Sequence, residues 1–270
     1  MLFYMKSKMD IINKIGTKWR EAASLIILVK DQSIKDFGCD FRVLLFNRAE
    51  KSTFYPNSAV FPGGVHEIGD ASLLWLNYIK SFGQSTNRDL FQCNSPRPAI
   101  FTNKMNGQIQ RFQTCFYLVA MQNIPDVILE RNEAASFSWK TPKEFIEDYF
   151  DQKLYLPPPQ LYELSRLLNF ACLDELVNFA RVRSTKGITL MLPVIQKCAD
   201  GTVSLMPGDD LYSINTDETN QKNTETITID QYRKRVKNLH RIEYFNNGRV
   251  FIQHNCSLND GHLPPVKSNI

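Results

Sequence analysis

The feature that most constrains this chain is a long strand signal near its middle. Residues 109–121, IQRFQTCFYLVAM, first alternate and then become fully apolar, which suits a long central β-strand rather than an exposed one. Two earlier runs read the same way. Residues 22–30, AASLIILVK, form a compact apolar run rich in Ile and Val, and residues 41–47, FRVLLFN, follow a loop that holds Gly38 and Asp40. Residues 135–139, ASFSW, give a further short strand. Helical patterns alternate with these strands. Apolar residues at helical spacing predict an amphipathic helix over 70–82, DASLLWLNYIKSF, with Asp70 as N-cap. Residues 83–98 are polar and proline-marked and read as a loop. Thr141-Pro142-Lys143-Glu144 has the order of a helix start: a capping threonine, a proline at the first position and a glutamate in the capping-box position. Pro157-Pro158-Pro159 stops the chain before a helix from about Gln160 to Phe170, and another runs from about Leu173 to Arg181.

After Pro193 the texture changes. Residues 194–214 read as strand–turn–strand around Asp200-Gly201 and Pro207-Gly208, residues 215–226 as a polar loop, and residues 239–254 as a hairpin turning at Asn246-Asn247-Gly248. The expected organisation is an N-terminal segment at 1–20, an α/β domain at 21–193 and a C-terminal extension at 194–270.

Composition narrows the function. Hydrophobic residues make up 43% and charged residues 22% of the 270, a globular mixture, and eighteen Phe and ten Tyr can fill an aromatic core. The net charge of +4 is mild and its Lys and Arg are spread along the chain, so no nucleic-acid partner is expected. No run of about eighteen apolar residues exists, so no membrane span is expected. The six cysteines lack any C-x-x-C pair, which argues against a disulfide framework or a zinc site and for a reducing intracellular compartment. The four histidines, His66, His240, His254 and His262, do not show metal-helix spacing. Lys6, Lys8, Lys14, Lys18 and Arg20 against Asp10 could mark a targeting helix or an ordinary N-terminus.

Several strings, taken in order, resemble one family. Leu44-Leu45-Phe46-Asn47-Arg48 leads to Ala59-Val60-Phe61-Pro62-Gly63-Gly64-Val65. Pro-Gly-Gly alone marks any tight turn. Within FNRAEKSTFYPNSAVFPGGVHEIGDAS, however, it is similar to the entry of a Nudix hydrolase of the coenzyme A-cleaving branch. Arg111-Phe112-Gln113-Thr114, Trp139 with Thr141-Pro142-Lys143-Glu144, Leu156-Pro157-Pro158-Pro159-Gln160-Leu161-Tyr162-Glu163, Asp200-Gly201-Thr202 and Leu205-Met206-Pro207-Gly208-Asp209-Asp210-Leu211-Tyr212 extend the likeness over about residues 20 to 255. The resemblance implies a Nudix-type α/β/α sandwich with a mixed sheet and a C-terminal extension. It implies metal-dependent hydrolysis, with Mg²⁺ or Mn²⁺, of the diphosphate of coenzyme A, acyl-coenzyme A or another nucleoside diphosphate derivative. The products would be 3′,5′-ADP and phosphopantetheine or its acylated form, and the compartment a peroxisome or mitochondrion.

By the same resemblance, Arg48 would pair with phosphate, and Pro62, Gly63 and Gly64 would shape the phosphate turn, the glycines supplying close backbone approach and positive φ. Arg111 could reach substrate phosphates or sit at a sheet edge. Glu67 and Asp70 are the candidate metal ligands. Glu133 is the candidate catalytic base, or a solvated loop carboxylate. His66 could touch a nucleotide or be an exposed loop histidine. Lys234, Arg235, Lys237, His240 and Arg241, in a stretch that could be helical, form either an anion contact or a solvated charged face.

The family's box, G-x5-E-x7-R-E-U-x-E-E-x-G-U with U aliphatic, begins at Gly64 and Asp70 and then fails. From Val65 to Phe116 the only acids are Glu67, Asp70 and Asp89, and no Glu-Glu pair occurs anywhere. A box helix deleted between about 70 and 110 accounts for the shortfall. Hard divalent cations need converging carboxylates, so a chain without them would bind without cleaving, holding no metal, or be a truncated isoform.

Overall fold

The computed structural model describes residues 20–31, 33, 38–52, 55–67, 94–105, 108–184, 186, 191–213, 225–258 and 261–266, with backbone alone over 94–105 and 108–111. The expected helix at 70–82, the residues 83–93 of the expected loop and most of the polar stretch 215–226 lie outside these residues.

Among the described residues, seven strands form one mixed sheet. Strands β1 (Arg20–Lys30), β2 (Phe41–Arg48), β3 (Ala59–Val60), β4 (Gly63–Val65), β5 (Asn94–Met105), β6 (Gln108–Met121) and β7 (Ala134–Lys140) run in chain order. Their order across the sheet is β3-β2-β1-β6-β5, with β4 also paired to β1 and β7 to β2. The long run 109–121 is central as its pattern requires. It pairs in parallel with β1 from Arg20↔Phe112 to Val29↔Met121, and antiparallel with β5.

Strand β5 corrects the expectation of a loop over 83–98, because 94–98 belong to it. The prolines Pro96 and Pro98 read as breakers. However, β5 lies at the sheet edge, where a missing N–H costs no ladder bond, and its register slips between Asn94 and Arg97.

Helices α1 (Pro142–Phe150), α2 (Pro158–Leu167) and α3 (Leu173–Ser184) follow. The start of α1 is the capping box read from the sequence. Thr141 Oγ1 accepts from Glu144 N at 3.1 Å, and Glu144 Oε2 accepts from Thr141 N at 2.8 Å. Thr141 is wholly buried. Its replacement by Ala should cost about 1–2 kcal/mol, read as a lower urea midpoint with unchanged slope. Helix α2 begins inside the proline run, with Pro157 as N-cap and Pro158 and Pro159 in its first turn. Proline at those positions lacks only an N–H that a helix start leaves unpaired anyway.

A second sheet is built by β8 (Val194–Cys198), β9 (Gly201–Leu205), β10 (His240–Phe245) and β11 (Val250–His254), in the order β11-β10-β9-β8. Helix α4 (Ile229–Arg233) covers it. The motif residues of this extension have structural roles. Asp200 Oδ1 accepts from Ile229 N at 2.8 Å, and a Cβ on Gly201 would strike the Tyr244 carbonyl at 2.1 Å. Gly208 takes φ +100°, the left-handed conformation glycine adopts without strain.

The expected basic group at 234–241 is corrected here. Its stretch is not one helix, since α4 ends at Arg233, and His240 and Arg241 are fully buried in β10. Arg241 is paired through Nε and Nη2 to the buried Asp209, both at 2.6 Å, and stacks its guanidinium over the Tyr232 ring at 5.5 Å.

The two sheets share one apolar core. Leu28, Phe41, Leu45, Phe145, Ile146, Leu161 and Leu164 from the first sheet and its helices pack in the same cluster as Met206, Ile242, Val250 and Ile252. No helix among the described residues is long and apolar enough to cross a membrane.

Candidate functional site

The way β1 divides its pairing opens a cleft. It pairs with β2 only over Leu28–Lys30 and with β4 over Ala22–Ser24. Antiparallel β2 therefore separates from β1 toward its own C-terminal end, where Arg48 stands. Strand β4 takes up the freed edge of β1, and beside it lies a cleft of about 530 Å³ lined by β1, β4, β6 and the end of β2.

The structure brings five of the candidate residues to this cleft: Arg48, Gly63, Gly64, Glu67 and Glu133. Pro62 stands beside it and ties its backbone to β1, its carbonyl accepting from Leu25 N at 2.7 Å. Asp70 lies outside the described residues, as does the side chain of Arg111. His66 is exposed and is not on the cleft wall; its N–H is bound to the Glu21 carbonyl at 2.8 Å. Glu130 accepts from the Asn132 side chain at 3.0 Å and so braces the loop that presents Glu133.

The role expected of the glycines is corrected. Neither has positive φ, since both belong to β4. A Cβ on Gly63 would meet the Ala23 carbonyl oxygen at 2.3 Å, so that glycine is set by the close approach of β4 to β1. A Cβ on Gly64 would meet nothing within 4 Å, so that position leaves open space in the cleft. Gly63→Ala should therefore destabilise the fold by about 1–3 kcal/mol, measured by chemical denaturation, whereas Gly64→Ala should change stability far less.

Arg48 is the most telling side chain. Its backbone N–H bonds the Ser58 carbonyl at 2.9 Å, and the bulge at Asn47/Arg48 breaks the register with β7. Its Nε is buried with no hydrogen-bond partner. Burial lowers its pKa from the usual arginine value, while Glu133 opposes that shift. A buried guanidinium N–H without a partner costs free energy unless a ligand completes it. Gln160 at the start of α2 repeats the pattern as an acceptor: it is nine-tenths buried on the same wall and its Oε1 has no partner.

Sequence reasoning missed several lining residues. Arg20 places its guanidinium 5.7 Å from the centre of the Phe112 ring, and Lys51, Tyr55, Asn132 and Gln160 complete the wall. Burial pushes the Tyr55 hydroxyl up to about 12, so it stays neutral. The described lining carries three cations, Arg20, Arg48 and Lys51, against two carboxylates, Glu67 and Glu133. Both carboxylates are exposed. Two exposed acids do not make a preorganised cage for a hard divalent cation, whereas three cations with an unpaired buried donor suit an anion.

Residues 19–109 and 100–167 match the family model described as the NUDT19 Nudix domain, and residues 195–255 match that described as the NUDT19 C-terminal domain. The chain is 26% identical to the acyl-coenzyme A diphosphatase NUDT19 of Xenopus laevis, covering 92% of this chain and 96% of that protein. That alignment runs over 364 positions, more than the 270 residues of this chain, so the frog protein has segments without a counterpart here. Identity to the human protein of the same name is 38% over 145 residues, which are 53% of this chain and 38% of the human one. A NUDIX hydrolase from Alicyclobacillus acidocaldarius is similar at 16% identity and a TM-score of 0.46, covering 60% of this chain and 96% of that one.

Proposed function

The chain belongs to the NUDT19 Nudix family, and we propose that its cleft receives the diphosphate of coenzyme A or an acyl-coenzyme A and that binding outweighs turnover. The observation that carries this reading is the buried, unpartnered Nε of Arg48. Arg48 would meet the diphosphate oxygens, Arg20 and Lys51 would add positive charge, and the space at Gly64 would let the anion lie close to β4. Gln160 Oε1 would accept from an amide or amine of the ligand.

Mg²⁺ or Mn²⁺, where bound, would neutralise diphosphate charge and activate water for hydrolysis to 3′,5′-ADP and (acyl-)phosphopantetheine. Glu67 and Glu133 are the described carboxylates on the wall, too few to hold it well. The three acids between Val65 and Phe116 and the absence of any Glu-Glu pair support the same view. Glu133 would act as base only in a cleft where a cation is recruited.

Calorimetry with coenzyme A in EDTA, followed by chromatography for 3′,5′-ADP after adding Mg²⁺ or Mn²⁺, tests both halves. Saturable binding with at most slow release of 3′,5′-ADP is expected. Lack of binding overturns the ligand, and rapid cation-dependent release overturns the claim that binding outweighs turnover. The resemblance also implies a peroxisome or mitochondrion, which imaging of a tagged chain checks.

A further inference from the structure

Far along the chain from the cleft residues, the hairpin β10–β11 and the segment after it gather three buried histidines and a cysteine around one tyrosine. The register pairs His240 with His254 directly across the hairpin. His240, His254 and Cys256 each offer a ligand atom, and these atoms all lie within 4.8 Å of one another. His262 stacks on His254 with ring centres 6.1 Å apart. From helix α2, the Tyr162 hydroxyl sits 2.7 Å from His240 Nε2 and 2.6 Å from His262 Nε2.

We propose that His240, His254 and Cys256 form a site for a borderline transition cation of the zinc type, with Tyr162 at the fourth position.

Three observations carry this. The first is an orphaned atom: His254 is 7% exposed, and its Nε2 has no hydrogen-bond partner. A buried ring nitrogen left unpaired is costly, and a cation would satisfy it. The second is orientation. His240 Nδ1 lies 2.6 Å from the Pro207 carbonyl, so Nδ1 carries the hydrogen and Nε2 keeps its lone pair. An imidazole held by a backbone carbonyl through its other nitrogen is how metal-binding histidines are set. The third is space for sulfur. A Cβ at Gly208 would come within 2.9 Å of Cys256 Sγ, so only a glycine leaves room for the thiol there.

The spacing suits the ion. A cation at the centre of three atoms no more than 4.8 Å apart would sit within about 2.8 Å of each. Side-chain shifts of under about 1 Å then give the ~2.0–2.3 Å bonds of zinc to nitrogen and sulfur. Binding displaces the Cys256 thiol proton to solvent. The Tyr162 hydroxyl gives up its bond to His240 Nε2; as His262 moves its hydrogen from Nε2 to Nδ1, the hydroxyl donates to His262 Nε2 and presents a lone pair to the ion. Nitrogen and sulfur donors favour this class over Mg²⁺ and separate the site from any cation at the diphosphate cleft.

The test uses the full chain freed of metal with a chelator, then dialysed against Zn²⁺ and assayed by mass spectrometry, in parallel with Co²⁺ followed by absorption. One equivalent of Zn²⁺ per chain is expected. With Co²⁺ the spectrum should show a thiolate charge-transfer band and tetrahedral d–d bands. C256S should lose the charge-transfer band, and H254A should bind Zn²⁺ at least tenfold more weakly. An excess of Mg²⁺ should displace nothing, and Arg48→Ala should bind Zn²⁺ normally. Circular dichroism confirms that each variant is folded; should H254A not fold, the conservative C256S decides. A folded chain that takes up no stoichiometric Zn²⁺, or uptake that C256S and H254A leave unchanged, overturns the proposal.

Discussion

Asp209→Ala will lower the free energy of unfolding by about 3–5 kcal/mol, the range for stripping the partner from a buried charge. Asp209 accepts from Arg241 Nε and Nη2, from the His240 N–H at 2.9 Å and from the Leu211 N–H at 3.0 Å. Both charged side chains are wholly removed from water. Removing the carboxylate therefore strands a guanidinium whose Nη1 already lacks a partner. Urea titration of the variant measures the loss. The double variant Asp209→Leu with Arg241→Met should recover much of it, because replacing both charges with apolar groups of similar volume removes the burial penalty. A single-variant loss below 1 kcal/mol would mean that water reaches this pair.

Arg48→Ala will weaken coenzyme A binding about 10- to 100-fold, the equivalent of one charge-assisted contact of roughly 1.5–3 kcal/mol. Its Nε makes no hydrogen bond within the protein, so the same change should leave stability almost unaltered. That contrast separates a ligand contact from a structural one. Arg48→Lys should not restore binding, because an ammonium lacks the planar fork that meets two phosphate oxygens at once. Calorimetry on the two variants and the parent settles the matter. Equal affinity across the three would place the diphosphate elsewhere.

The legible parts of this fold were those coded locally. The run at 109–121 specified a central strand because its alternation gives way to an apolar end, where Leu118 and Val119 are buried on opposite faces, and Thr141 with Glu144 specified a helix start through bonds spanning three residues. Features coded by approach were hidden. Gly63 looked like a turn former, whereas the Ala23 carbonyl across the sheet forbids it a side chain. Pro96 and Pro98 looked like loop residues because nothing in the string says that their strand lies at an edge. The cleft was half legible. Arg48 and the Pro-Gly-Gly segment could be named, but Arg20 and Gln160 reach the same wall only through the parallel register of β1 with β6 and the placement of α2. The histidine cluster had one usable signal. A hairpin centred on Asn247 sets His240 opposite His254, a pairing that spacing along a helix does not reveal.

The clasp on Tyr162 also bears on how the chain is made. Its hydroxyl is held by residues 78 and 100 positions further along. At about 5–20 residues per second, synthesis leaves the corresponding face of α2 without its cover for roughly 4–20 s. Throughout that interval Leu161 and Leu164, fully buried in the finished fold, await Ile242, Val250 and Ile252 from the same cluster. A ribosome stalled before residue 240 should hold a nascent chain that recruits chaperones, and release of the last hairpin should end that dependence.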